Sequence, residues 1–280
     1  MAQTSLAERL GYGADDRLLI VNCDDLGSSH GANAAIHRAL VYGAISTSAS
    51  LMVPCPWARE AACLLKPFPI GVHLTLTSEY AGYRWRGLTE GASLHDSEGF
   101  LWPTNPAALA QLRAADAHAE CHAQIATALA WGIDVTHLDT HMNVLQDRSD
   151  LFDIYLDLAA EFRLPVRMLS PEHTDRQGFD ARARARAKGI ICNDHMIDQW
   201  PKFTRDMLAQ EIPGLPPGVT ATYAHPVEEG TELRAYDRHS ADLRADDAEC
   251  LMDTGVATLL ERHNVTRISF RELRELQRAS

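Results

Sequence analysis

The 280-residue sequence predicts an α/β fold, an irregular (β/α) barrel of seven or eight strands formed by a single domain over residues 1–280. Three observations lead there. Short apolar runs alternate with longer helical stretches along the whole chain, which implies parallel strands joined by crossover helices. Seven or eight such units suit a barrel better than an open doubly wound sheet. Acids and histidines collect at or just past the ends of the apolar runs, where a barrel of this kind gathers its active site.

The first run, Leu18-Leu19-Ile20-Val21, reads as a buried strand and leads straight into Asp24 and Asp25. Gly27 and Ser28-Ser29 then signal a turn and a helix start, with a helix over 33–42 closed by Gly43. Residues 45–53 alternate Ser and Thr with apolar residues and form the second strand; 57–65 give a short helix. Residues 70–76 form the third strand, which carries His73. The segment 77–104 is irregular and rich in Gly, Tyr and Trp, and loops of that length inside a compact domain are usually functional. Asn105 as N-cap and Pro106 at the first helical position begin a helix expected to reach about Trp131. Residues 135–139 make the fourth strand, followed by Thr140 and His141. An amphipathic stretch covers 151–162, a fifth strand 165–169, a solvated helical face 180–188 and a sixth strand 189–192. Residues 203–211 are a short helix, and 219–224 a seventh strand running into His225-Pro226. Residues 241–263 are helical, 266–270 a last short strand, and the C-terminal residues helical again.

Composition narrows the function. With 46% hydrophobic and 23% charged residues the chain has the makings of a core. A net charge of -12 argues against nucleic-acid or anionic-membrane partners. No apolar run reaches the length of a membrane span, and the first ten residues lack the features of a signal peptide, so a cytoplasmic protein is expected. The six cysteines are scattered, with no C-x-x-C pair, and are expected to be reduced core thiols. The first strand is not followed by G-x-G-x-x-G, and neither G-x-x-x-x-G-K-[ST] nor G-x-S-x-G occurs, which argues against dinucleotide, P-loop and α/β-hydrolase chemistry.

Two adjacent carboxylates at the end of a core strand are expensive to bury unless something positive meets them. A metal ion meets that need; one Asp capping the next helix is the plainer alternative. His73, Asp139, His141 and His225 all lie at strand ends that face the same mouth. Each histidine alone is more simply a packed core residue or a cap, and His137 is read as structural. Taken jointly, two His and one Asp suit zinc or another divalent metal with positions left for water and substrate.

These residues carry a family resemblance. Asn22-Cys23-Asp24-Asp25-Leu26-Gly27 resembles the N-A-D-D-F-G signature of the YdjC-like (ChbG/HpnK) carbohydrate deacetylases. Gly71-Val72-His73-Leu74-Thr75-Leu76-Thr77 is similar to that family's G-x-H-L-x-L-T, and Thr136-His137-Leu138-Asp139-Thr140-His141 to its T-H-x-D-S-H. Glu120-Cys121-His122-Ala123-Gln124-Ile125, Ala224-His225-Pro226 and Ile268-Ser269-Phe270-Arg271-Glu272-Leu273 resemble its E-x-x-x-Q-I helix, later His-Pro motif and closing I-S-Y-R-E-L. The resemblance implies a NodB-deacetylase-like barrel that hydrolyses the N-acetyl group of an amino sugar or short oligosaccharide and releases acetate. It implies one divalent ion, zinc or magnesium, on Asp25, His73 and His141, with Asp24 as general base and His225 as acid. The implied partner is a small carbohydrate, and self-association stays open.

Asp139 is a candidate neighbour for His225, whose proton affinity a carboxylate would raise, or a residue behind the metal site. Tyr80, Tyr83, Arg84, Trp85 and Arg86 are candidates for stacking on a sugar ring or for pinning their own loop. Two departures bear on the substrate. The family's H-Q-H-V-H is replaced by His141-Met142-Asn143-Val144-Leu145-Gln146, and Cys23 stands for a small residue. Two other functions remain open: a metal-dependent barrel hydrolase acting on a non-sugar amide or phosphoester, and a non-catalytic sugar-binding relative. Asp24 argues against the latter, since a pure binder has no use for a base beside the metal.

Overall fold

The apolar runs become seven strands in the computed structural model, which describes residues 4–198 and 200–279. They are β1 (Arg17–Leu26), β2 (Ser48–Leu51), β3 (Ile70–Leu74), β4 (Leu138–Thr140), β5 (His195–Met196), β6 (Gly218–Ala224) and β7 (Val265–Arg267). Every pairing between them is parallel, in the order β4-β3-β2-β1-β6-β5. β6 lies along one edge of β1 from Arg17 to Cys23. The other edge is shared, with β7 against Arg17–Leu19 and β2 against the C-terminal half. Single bridges, Leu138 with Val166 and Val166 with Cys192, carry the pairing from β4 round toward β5. The barrel is therefore irregular on that side.

The expected fifth and sixth strands, 165–169 and 189–192, are reduced to those bridges because a side chain interrupts the ladder. Asn193 Oδ1 accepts from the Met168 N–H at 2.8 Å, and Asn193 Nδ2 donates to the Met168 carbonyl at 3.0 Å. The expected helix over 105–131 is two helices, Asn105–Gln111 and Ala114–Ala130, and Thr104 rather than Asn105 is the N-cap. The break is stabilised from outside. Arg148 donates to the Leu109 and Leu112 carbonyls, and the Arg113 N–H donates to Ser93 Oγ. Residues 241–263 likewise divide into Ala241–Cys250 and Thr254–Arg262, with Asp253 capping the second. A further helix, Thr231–Tyr236, was not expected.

Alternation along β1 decides what faces what. Leu18 and Ile20 pack with Val219, Ala221 and Phe270, whereas Leu19, Val21 and Cys23 join the larger core. His137 is fully buried and stacks on Phe270 with ring centroids 3.9 Å apart. A Cβ on Gly71 would run into that imidazole, so glycine is required there. Four cysteines are buried as expected, but Cys192 is half-buried and Cys63 exposed; all six are free. Among the described residues no helix is long and apolar enough to cross a membrane.

Candidate active site

Asn22 and Asp24 follow Leu18 and Ile20 on one face of β1, so Asp25 should point away. It does not. Asp25 has φ of 63°, in the left-handed region that Asp tolerates better than most residues, and the β1–β2 register slips between Cys23 and Leu26. This irregularity turns Asp25 back, and both carboxylates line one cavity. Backbone strain of this kind is on the order of 1–3 kcal/mol and clusters at functional sites. Gly27 follows with φ of 90°, and a Cβ there would lie 2.9 Å from Ala58 Cα, so only glycine makes the turn.

The two acids are held differently. Asp24 accepts from both Arg167 Nη atoms, at 2.6 and 2.7 Å, and from Asn22 Nδ2 at 2.8 Å. Asp25 Oδ2 accepts from Arg244 Nη1 at 2.8 Å. Asp25 Oδ1 is buried and accepts no hydrogen bond among the described residues, although His73 Nε2 and His141 Nδ1 stand 3.5 and 3.3 Å away. The reason lies behind each ring. His73 Nδ1 is 2.7 Å from Asp139 Oδ1, and His141 Nε2 is 3.0 Å from Glu79 Oε2. With each rear nitrogen held by its own carboxylate, the front nitrogens face Asp25 Oδ1 and would offer it lone pairs once a bound cation displaced their protons.

One oxygen and two nitrogens thus converge on one point. Ligands of a tetrahedral ion bound at about 2.0–2.2 Å lie roughly 3.4 Å apart, which matches the 3.5 and 3.3 Å from Asp25 Oδ1 to the two nitrogens. A carboxylate behind each histidine is also the arrangement that orients metal-binding imidazoles. The residues fit a divalent cation. Asp24, His73 and Asp139 form a second possible group. Its two carboxylates already face Arg167, which makes it the poorer site.

The charge balance points the same way. Asp24, Asp25, Asp139 and Asp237 pair with two guanidiniums, Arg167 and Arg244, and Glu79 with His141. Burial opposes protonation of His73 and His141, yet the acids outweigh it. Asp139 and Asp24 hold His73 at about 9, and Glu79 and Asp25 hold His141 at about 10. Burial would raise Asp25, but His225, Arg244 and the two imidazoles keep it well below the usual carboxylate range. The cluster calls for added positive charge, from protons or from a cation.

The cavity in front of these groups has a volume of about 660 Å³. It brings together Asp24, Asp25, His73, His141 and His225. His225 departs from expectation. Asp139 is turned toward His73 and Arg167, not toward His225. Burial instead lowers His225 to about 4 against the pull of Asp25, so its ring is neutral at pH 7. Its backbone N–H donates to Asp247 Oδ2 at 2.7 Å, its ring meets Trp200 and Tyr223, and its Nδ1 has no hydrogen-bond partner among the described residues.

Asp139 itself sits behind His73. From the 77–104 segment, Glu79, Tyr80, Ala81 and Gly82 reach the cavity, whereas Arg84 and Trp85 are not part of its wall. Arg84 pairs with Asp96 at 2.7 Å and donates to the Leu101 carbonyl, and Trp85 Nε1 donates to the Thr77 carbonyl at 2.8 Å. These two pin the loop. Met142 and Asn143, both at positive φ, line the wall beside His141. Sequence reasoning missed Glu79, Arg167 and Arg244. A lone arginine in the apolar stretch Pro165-Val166-Arg167-Met168-Leu169 was the one signal available for them.

The family profile described as YdjC-like protein matches residues 18–262. A carbohydrate deacetylase of Thermus thermophilus is 34% identical over 248 residues, covering 85% of this chain and 88% of that protein. A chitooligosaccharide deacetylase of Yersinia enterocolitica is 30% identical over 191 residues, 66% of this chain and 68% of its own length. Among solved structures, a protein of Enterococcus faecalis provisionally named for cellobiose-phosphate cleavage superposes with a TM-score of 0.81. At 23% identity, covering 92% of this chain and 99% of that one, it speaks for the fold.

Proposed function

The chain belongs to the YdjC-like family, and from that premise we propose that it is a divalent-metal-dependent hydrolase that removes the N-acetyl group from an amino sugar or short N-acetylated oligosaccharide and releases acetate. The observation that carries this reading is the unbonded Asp25 Oδ1 facing two imidazoles, with a second carboxylate, Asp24, standing beside it. The names borne by the Thermus and Yersinia relatives support the same substrate class.

Asp25, His73 and His141 hold the ion. Two imidazoles and one carboxylate favour zinc over magnesium, which prefers an all-oxygen shell. A bound divalent ion supplies Lewis acidity, lowering the pKa of water and polarising a carbonyl. Asp24 takes the proton of the attacking water. The two-pronged contact with Arg167 fixes the plane of its carboxylate, and Asn22 fixes the edge. His225, across the cavity, delivers a proton to the departing amine. It is neutral at rest, so it gives that proton only after receiving one, and the balance closes when the proton Asp24 took from the water is the one passed on. The cavity of about 660 Å³ is of the size that encloses a small ligand.

Acetate release from N-acetylated mono- and oligosaccharides tests the reading; no release from any of them, with divalent metal supplied, refutes it. For His225→Ala, kcat and kcat/KM are expected to fall together, by about 10²-fold or more, with metal content unchanged. A rise in KM alone would make His225 a binding residue.

A further inference from the structure

Glu120 and Gln124 stand one turn apart on the helix Ala114–Ala130 and are fully buried, yet neither lines the cavity. No cation among the described residues pairs with Glu120, and a buried carboxylate is costly unless donors meet it. Four donors do. Oε1 accepts from the Leu88 N–H at 3.0 Å and from Gln124 Nε2 at 2.8 Å. Oε2 accepts from the Thr89 N–H at 2.8 Å and the Thr89 hydroxyl at 2.7 Å. Gln124 meets the chain at the other end of this segment. Its Oε1 accepts from the Thr75 N–H at 2.9 Å, and its Nε2 donates to the Thr75 carbonyl at 2.8 Å.

One helix turn thus holds both ends of the loop 75–89, which begins two residues after His73. Closer to its tip the two arms of the loop are tied again. The Trp85 N–H donates to Ser78 Oγ at 2.9 Å, and Trp85 Nε1 donates to the Thr77 carbonyl at 2.8 Å. Beyond these ties lie Glu79, Tyr80, Ala81 and Gly82, which wall the cavity, and Glu79 Oε2 meets His141 Nε2 at 3.0 Å. A braced path therefore runs from the buried pair to one of the two imidazoles.

We propose that Glu120 and Gln124 are positioning residues for the metal site, acting through the 75–89 loop to hold Glu79 against His141. The proposal rests on the deacetylase reading above, in which His141 is a ligand. Position 120 requires a carboxylate. An amide there cannot accept from both the Leu88 and the Thr89 N–H; whichever side its NH₂ faces, one backbone donor loses its acceptor.

The test is zinc affinity, measured by chelator competition on the full chain, in a cycle of Glu120→Gln and Glu79→Ala. Loss of Glu79 is expected to weaken zinc binding by about 10–100-fold, as for other groups behind a ligand. Glu120→Gln is expected to weaken it by about 3–10-fold in the wild type, because a lost hydrogen bond shifts Glu79 without deleting it. Once Glu79 is gone, Glu120→Gln is expected to have no further effect. A residue that only supports the fold gives the same loss in both backgrounds. Thr89→Val keeps the buried carboxylate and removes one part-buried hydroxyl, so it repeats the cycle with the core untouched and is expected to act in the same direction. Equal losses in both backgrounds, or no loss in the wild type, overturn the positioning role and leave the deacetylase reading standing. No zinc binding by the wild-type chain overturns both.

Discussion

An Asp24→Asn variant is expected to keep its fold and its metal while losing turnover by about 10²–10⁴-fold, the range typical of losing a general base. The substitution is nearly isosteric. Arg167 keeps a partner, since Asp139 Oδ2 lies 3.2 Å from its Nη1 and the asparagine oxygen can still accept one bond. Asn22 Nδ2 keeps Ser50 Oγ at 3.0 Å. What disappears is the carboxylate able to take a proton. The measurements are kcat and metal content by elemental analysis on the same sample. Near-normal kcat would show that another group accepts the proton; loss of metal would move Asp24 into the ligand set.

Asp25→Ala has the opposite signature. It removes the oxygen on which the two imidazoles converge, while Arg244 retains Asp237 and Tyr80 as partners. Bound metal is expected to fall by more than the roughly 10–100-fold that follows loss of a group behind a ligand, and activity with it. His73→Ala and His141→Ala should behave alike, since each supplies one front nitrogen. Full metal occupancy in all three variants would remove these residues from the ion. The contrast between Asp24 and Asp25, adjacent in sequence, separates base from ligand more sharply than either variant alone.

The sequence made Asp24, Asp25, His73, His141 and His225 legible because strand ends in a parallel barrel face one mouth, and such residues stand out there against apolar runs. It could not show how consecutive acids reach the same cavity. That depends on the left-handed Asp25 and the slipped register beside it, which alternation alone would forbid. Glu79 lay unmarked in an irregular loop, and Arg244 in a helix without periodic signal; both act through partners far away in the chain. The assumption that a carboxylate would raise His225 failed because burial outweighs the pull of Asp25, and Asp139 is committed to His73 and Arg167. The fold was readable in its strong strands, β1, β3 and β6. It was less so where distant side chains decide the outcome, as Asn193 does in the 165–169 ladder and Arg148 at the helix break.

The central claim is that one divalent ion on this chain's Asp-His-His set makes an amino-sugar deacetylase. It is tested most directly by measuring acetate release from N-acetylated chitooligosaccharide with chelator-stripped protein, before and after titration with zinc. The account predicts no release from the stripped protein and recovery that levels off at about one equivalent. Equal release with and without the metal would contradict it.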